Sequence, residues 1–324
     1  MGQQGRRGCR SGWFIVVIGV VLAACQSGPA APAGGEHLSG TLTISGAWAL
    51  YPLMVRWSEA FRKEHPDVQF DISAGGAGKG MADALAGIVD IGMVSREVAP
   101  EEVERGAFWV PVTRDAVFAT VNAANPALPE LLQRGITREQ FSGIYITGAI
   151  TTWGQLVGQP ALSDPIHVYT RSDAAGAPET WARFLGHRQE DLRGLGVYGD
   201  PGIMEAVIKD RLAIGYSNLG YAFDLASGQP VAGAQVVPID ADANGRADAD
   251  EALTTLAQAR DAVARGVYPA PPARDLNLVT RGKPQGLTRA FLIWIVTRGQ
   301  PLAEAAGYVA LPEATLREAL ERLQ

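Results

Sequence analysis

The chain has 324 residues, 47% hydrophobic and 19% charged, with a formal net charge of −6. This is the composition of an ordinary globular protein, long enough for two lobes with their own cores. The acidic balance excludes the broad basic surface that nucleic acid requires; it does not exclude a small anion, because local donors outweigh global charge inside a closed site.

Residues 1–25 read as an export signal. Arg6, Arg7 and Arg10 form a basic start, and Trp13 to Leu22 is an apolar run too short and too early to span a membrane. Leu22-Ala23-Ala24-Cys25 resembles the bacterial lipobox, which would make Cys25 the lipidated first residue of the mature protein; an uncleaved signal-anchor is the alternative. The other cysteine, Cys9, lies in the discarded segment, so no disulfide is expected in the folded domain. Residues 26–40, rich in Gly, Pro and Ala, are assigned as a flexible tether. The expected location is extracytoplasmic, lipid-anchored to the cell membrane.

Thr41 to Ile44 is a β-rich run closed by Ser45-Gly46. Leu50, Leu53, Met54, Trp57 and Phe61 recur at helical spacing, and His65-Pro66 ends that helix. Val68, Phe70 and Ile72 alternate with polar residues as a strand. A Gly-rich turn then leads into a helix near Met81 to Ala86, and Ile88 to Val94 reads as a buried strand. Val117 to Val121 is a further strand, and Thr137 with Gln140 forms a capping box. Ile166 to Tyr169 is a strand. Asp200-Pro201 reads as the cap and first position of a helix through Ile203 to Ile208. Ala213 to Tyr216 and Leu276 to Val279 are strands, while Leu287 to Val296 and Pro312 to Leu323 are helices. Such alternation predicts an α/β fold with parallel strands, in two lobes separated by a cleft.

Four segments share one topology, each at the C-terminal end of a predicted strand, where open α/β sheets place ligands. They are Ser45-Gly46-Ala47-Trp48, Gly75-Gly76-Ala77-Gly78-Lys79, Ser95-Arg96, and Arg171-Ser172-Asp173-Ala174-Ala175-Gly176-Ala177-Pro178. Free N–H groups and the positive end of a following helix favour an anion there. Glycine lets the backbone come close, and an arginine fork matches an edge of a tetrahedral oxyanion. Any one segment alone is equally a tight turn, and Arg171 alone is equally a surface ion pair; the shared topology is what points to an anion. A Walker nucleotide loop fails twice: the position of its first glycine is Ser73, and Gly80 follows Lys79 where a hydroxyl is needed. A dinucleotide fingerprint fails for want of an acidic residue about twenty positions on.

With these residues in view, the chain resembles the PstS-like phosphate-binding proteins of bacterial phosphate ABC transporters. The likeness runs from about residue 40 to the end, through SGAWALYPLMVRWSEAF, VDIGMVSR, ITREQFSGIYITGAITTWGQL, TRSDAAGAPETWARFL and YPAPPARDLNLVTRGKP. It implies a type II periplasmic-binding-protein fold: two lobes, each a mostly parallel sheet flanked by helices, joined by two hinge strands and closing on ligand. By resemblance, lobe 1 is 41–118 plus 275–324 and lobe 2 is 119–274. The oxyanion would be held by Ala47, Trp48, Gly76, Ala77, Gly78, Ser95, Arg96, Arg171, Asp173, Ala175, Gly176 and Ala177. The departures matter: Ala77, Ala175 and Ala177 stand where hydroxyl donors are usual, and Arg96 stands where an aspartate often accepts the proton of hydrogen phosphate. Asp173 is then the remaining candidate acceptor, unless it orients Arg171. The implied partners are inorganic phosphate or another oxyanion (sulfate, molybdate, tungstate, phosphonate or a phosphate ester) and a membrane permease that selects the closed form. A monomer is expected.

A second motif is independent of that resemblance. Residues 240–251 fit the calcium loop D-x-[DN]-x-[DN]-G-x5-E at every position. Asp240, Asp242 and Asn244 would give side-chain oxygens, Arg246 a backbone carbonyl, Asp248 a direct or water-mediated contact and Glu251 a bidentate one. A disordered acidic loop is the alternative. The expected role is a structural calcium staple, with no catalytic cofactor. The chain is not expected to be an enzyme: His37, His65, His167 and His187 are scattered, and Ser95 beside Arg96 lacks a neighbouring base for phosphatase chemistry. An anion-sensing subunit on the same fold remains a third class.

Overall fold

Strands β1 (Gly40–Gly46), β2 (Val68–Ala74), β3 (Ile91–Val94), β4 (Ala107–Asn122), β5 (Ile136–Thr137), β6 (His167–Arg171), β7 (Leu195–Val197), β8 (Ala213–Asn218), β9 (Ala234–Val236), β10 (Ile239–Asp240) and β11 (Ala273–Arg281) alternate with helices along the chain. The computed structural model describes residues 37–324; the expected export signal, the lipidation at Cys25 and the tether up to residue 36 lie outside the described residues. The main sheet runs β2-β1-β3-β11-β4-β8-β6-β7, with β9 also on β4, and β10 pairs separately with β5. In the main sheet, pairs not involving β4 or β11 are parallel: β1 with β2 and β3, and β6 with β7 and β8. The antiparallel pairs all involve β4 or β11. Among the described residues no helix is long and apolar enough to cross a membrane.

Two large cores flank the β4–β11 ribbon. One gathers β1, β2 and β3, the first part of β4 to Val112, β11 from Leu276, and residues as late as Leu323. The helix Tyr51–Glu64 buries Leu53, Met54, Trp57 and Phe61 there, as its spacing predicts, and His65 ends it. The other core gathers β4 from Ala116, β8 and the helices between them, around Trp181. That indole stacks on Tyr216, with centroids 5.8 Å apart, and meets Phe141 edge-on at 4.9 Å. β4 and β11 pass from one core to the other side by side, and at the crossing Asp115 lies opposite Arg274.

Several sequence expectations shift. The strand after the Gly-rich helix starts at Ile91, and Ile88 is 68% exposed, because Gly87 ends the preceding helix in a left-handed turn. Val117 to Val121 is one part of the long β4. Asp200 does not cap its helix: Tyr198 holds the cap position of Gly199–Lys209, and Asp200 is buried in the first turn with another task. The capping box of Thr137 and Gln140 is present, and Thr255 with Gln258 forms another before Leu256–Arg265.

Candidate functional site

The ends of β1, β3 and β6 and the turn after β2 meet where the two cores face each other. Glycines make this meeting possible. A side chain on Gly46, whose φ is +131°, would lie 2.3 Å from the Met93 carbonyl oxygen. Across the seam, a Cβ on Gly76 would lie 2.5 Å from the Ala174 oxygen, and one on Gly176 would lie 2.1 Å from Ser95 Oγ. Such distances exclude any Cβ. The seam is further joined by Gly78 N–H donating to Ala174 O at 3.1 Å and by Tyr221 O–H donating to Trp48 O at 3.3 Å. Arg183 also pairs with Glu97 across it, at 2.5 Å.

Arg171 closes β6 with its side chain 1% exposed. Its Nε and Nη2 donate to the two oxygens of Asp173, at 2.7 and 2.5 Å, and its Nη1 donates to Asp200 Oδ2 at 2.7 Å. A guanidinium carries five N–H groups, so two remain after these bonds. Burial alone would lower its pKa, but the two aspartates hold it above its ordinary value. Asp200 accepts a second bond from Asn218 Nδ2 at 2.6 Å. Burial nonetheless raises its carboxyl above the usual range, with Arg171 and Arg274 opposing.

A cavity of about 460 Å³ opens beside this group, lined by Gly78 and Arg96 from one half and Arg171, Ala174, Ala175, Glu179, Gln189, Glu190 and Leu192 from the other. Of the sequence candidates, Gly78, Arg96, Arg171 and Ala175 therefore converge. Several of their expected roles change. Arg96 is not a free guanidinium: its terminal nitrogens hold Glu102 at 2.9 and 2.7 Å, and that pairing raises its pKa. Asp173 spends its carboxylate on Arg171 and also accepts Gly199 N–H at 3.2 Å, so it orients the arginine. The Ala47 N–H goes to Met93 O, the Gly76 N–H to Gly46 O and the Ala175 N–H to Gln189 Oε1. Ser95 is buried against Gly176, and its carbonyl accepts from Arg274 Nε at 3.1 Å.

Ala77, Gly176 and Ala177 occupy the first turns of their helices, Ala77–Ala86 and Gly176–Phe184. There the helix itself offers N–H groups no partner. Trp48 packs edge-on against Tyr198 at 5.9 Å, and its buried Nε1 has no hydrogen-bond partner.

Sequence reading missed Asp200, Asn218, Asp115 and Arg274. Arg274 Nη2 donates to Asn218 Oδ1, and its Nη1 lies 3.4 Å from Asp115 Oδ2 without a hydrogen bond. Burial pushes the Asp115 carboxyl up to about 6; Arg274 and the N–H groups of Ala116 and Leu219 oppose this, while Asp200 adds to it. For Asp115 the available signal was a carboxylate directly before the apolar run Ala116 to Ala119.

The calcium motif folds as an Asx-rich loop between β10 and the helix Leu256–Arg265. Carboxylate oxygens of Asp240, Asp242 and Glu251 lie within 4.8 Å of one another. Asn244 Nδ2 donates to Asp242 and Asp248, at 3.1 and 3.0 Å, drawing both to the cluster. The Arg246 side chain turns onto Asp248 at 2.8 Å.

A family model described as PBP superfamily domain matches residues 31–298. The phosphate-binding protein PstS of Bacillus subtilis is 28% identical over 212 residues, covering 63% of this chain and 68% of that protein. The Pseudomonas aeruginosa protein of the same name is 25% identical over 339 residues, covering 94% of each chain. A solved structure from Clostridium perfringens with phosphate bound superposes with a TM-score of 0.68 at 24% identity, covering 84% of this chain and 100% of that one, a likeness of fold.

Two outcomes follow from this geometry. Gly176→Ala will hold the halves apart at Ser95, and small-angle scattering will give a larger radius of gyration than for the unsubstituted protein. Folding raises the Asp115 pKa above its unfolded value, so its contribution to stability is full below about pH 4 and is lost as pH rises through about 6. The stability difference between the protein and Asp115→Asn, followed by urea titration, will shift by on the order of 3 kcal/mol across that window, falling towards neutral pH.

Proposed function

The chain belongs to the PBP superfamily, and we propose that within it this protein is an extracytoplasmic substrate-binding protein that captures inorganic phosphate for an ABC importer. The observation that carries the reading is Arg171: buried, fixed by two carboxylates, with N–H groups to spare beside a cavity that draws walls from both halves. Relatives named for phosphate binding support it.

Arg171 supplies the charge and its two uncommitted N–H groups. The helix starts at Ala77 and at Gly176-Ala177 supply N–H groups and the positive ends of two dipoles. Together they replace the hydroxyl donors that Ala77, Ala175 and Ala177 lack. The anion docks on one half in the open form. Closure adds the donors of the other half, and only these added contacts favour the closed state. A permease would select that state, and lipidation at Cys25 would hold the domain near it.

One observation favours a second reading, a less selective oxyanion binder. Asp173 is committed to Arg171 and is not offered as the acceptor for the proton of hydrogen phosphate. Calorimetric titration with phosphate, sulfate and molybdate decides between them. Phosphate bound at least tenfold more tightly than sulfate supports the first reading, comparable affinities support the second, and no binding of any of the three defeats both.

We also propose that the loop 240–251 takes Ca²⁺ as a structural staple. Support comes from the full motif match and the convergence of Asp240, Asp242 and Glu251. Calcium at a hundredfold excess over its Kd will stabilise the fold by about 2.7 kcal/mol. The expected outcome is a fall in Tm on adding chelator to calcium-containing buffer, and no such fall for Glu251→Gln.

A further inference from the structure

We propose that Arg274 is a positioning residue for anion capture, tying the β3 loop of one half to the Arg171 guanidinium of the other through Ser95, Asn218 and Asp200. The inference rests on the anion-binding reading above and assigns it a residue outside the lining of the cavity.

The chain of bonds is continuous. Arg274 Nε donates to the carbonyl of Ser95, just past β3, at 3.1 Å. Its Nη2 donates to Asn218 Oδ1 at the end of β8. The other end of that amide donates to Asp200 Oδ1 at 2.6 Å, and Asp200 Oδ2 accepts from Arg171 Nη1 at 2.7 Å. All four side chains are buried. Fixing the Asn218 oxygen on Arg274 forces its NH₂ towards Asp200, so the order of donors and acceptors has a single solution. Asp200 is thereby held by two donors, and Arg171 is left with one orientation.

The position of Arg274 gives this bridge its meaning. It sits on β11 where that strand passes between the cores, with Ala273 in one core and Leu276 in the other, opposite Asp115 on β4. Any rotation of the halves about this ribbon moves Ser95 relative to Asn218, and Arg274 holds both. Arg274 pairs with Asp115, Nη1 to Oδ2 at 3.4 Å, and gives both of its side-chain hydrogen bonds to the site side. A relay of this kind should act as one unit, so that breaking it at either link has the same effect.

The test uses the full chain and inorganic phosphate. Arg274→Lys and Asn218→Ala should each weaken phosphate binding about tenfold in calorimetry, and the double variant should lose no more than about twofold beyond either single one. Losses that multiply, or single variants that bind like the unsubstituted protein, overturn the relay. Because a buried variant can misfold, a second measurement uses the unsubstituted protein with ¹⁵N-labelled arginine. The Nε–H resonances of Arg171 and Arg274 should move with the same midpoint as phosphate is added, and an unmoved Arg274 signal overturns the proposal. If the unsubstituted protein binds no phosphate, sulfate or molybdate, the anion reading falls and the relay falls with it. Binding by the unsubstituted protein together with indifferent variants removes the relay alone.

Discussion

A guanidinium taken out of water must find partners for its edges, because the ion pairs it makes scarcely repay its lost hydration. Arg171 is in that position, and its surroundings can be read as the response. Asp173 takes one edge and Asp200 the next. Asp200, itself withdrawn from water, needs Asn218, and the Asn218 oxygen needs Arg274. Each polar group is present because the one before it could not be left alone. The sequence ends in a charge at the junction of the two cores, so the geometry of the cleft and of the connecting ribbon are set together.

The second condition is steric. Backbones at the seam approach more closely than any side chain allows, which is why Gly76 and Gly176 line it. Gly176 is needed for having no Cβ, and Gly76 for that and for its φ of +90°. Close approach lets carbonyls and N–H groups of one half meet those of the other directly, as Gly78 and Ala174 do.

Much of the fold was legible in the sequence because its helices carry clear periodicity. The Leu53, Met54, Trp57 and Phe61 stripe and the capping box at Thr137 read directly. The four candidate segments were legible from their common place at strand ends. What escaped was pairwise commitment. Arg96 lines the cavity but also holds Glu102, six residues on, a pairing its place after β3 does not announce. Asp200 looked like a cap because Asp before Pro usually is one, and burial beside Arg171 assigned it otherwise. Asp115 and Arg274 are 159 positions apart and meet only through strand register, which local patterns do not encode.

The route of the chain has a consequence for biosynthesis. The core built on the early strands is completed by late residues: Trp57 Nε1 donates to Gly299 O at 2.8 Å, and Tyr308 O–H donates to Ala49 O at 2.6 Å. The core around Trp181 is drawn almost wholly from residues 116–273. On a ribosome, or emerging from a translocation pore, the portion made second can therefore consolidate while the portion made first still waits for its closing helices. Birth order and completion order are inverted, because the core begun first is the one that closes last.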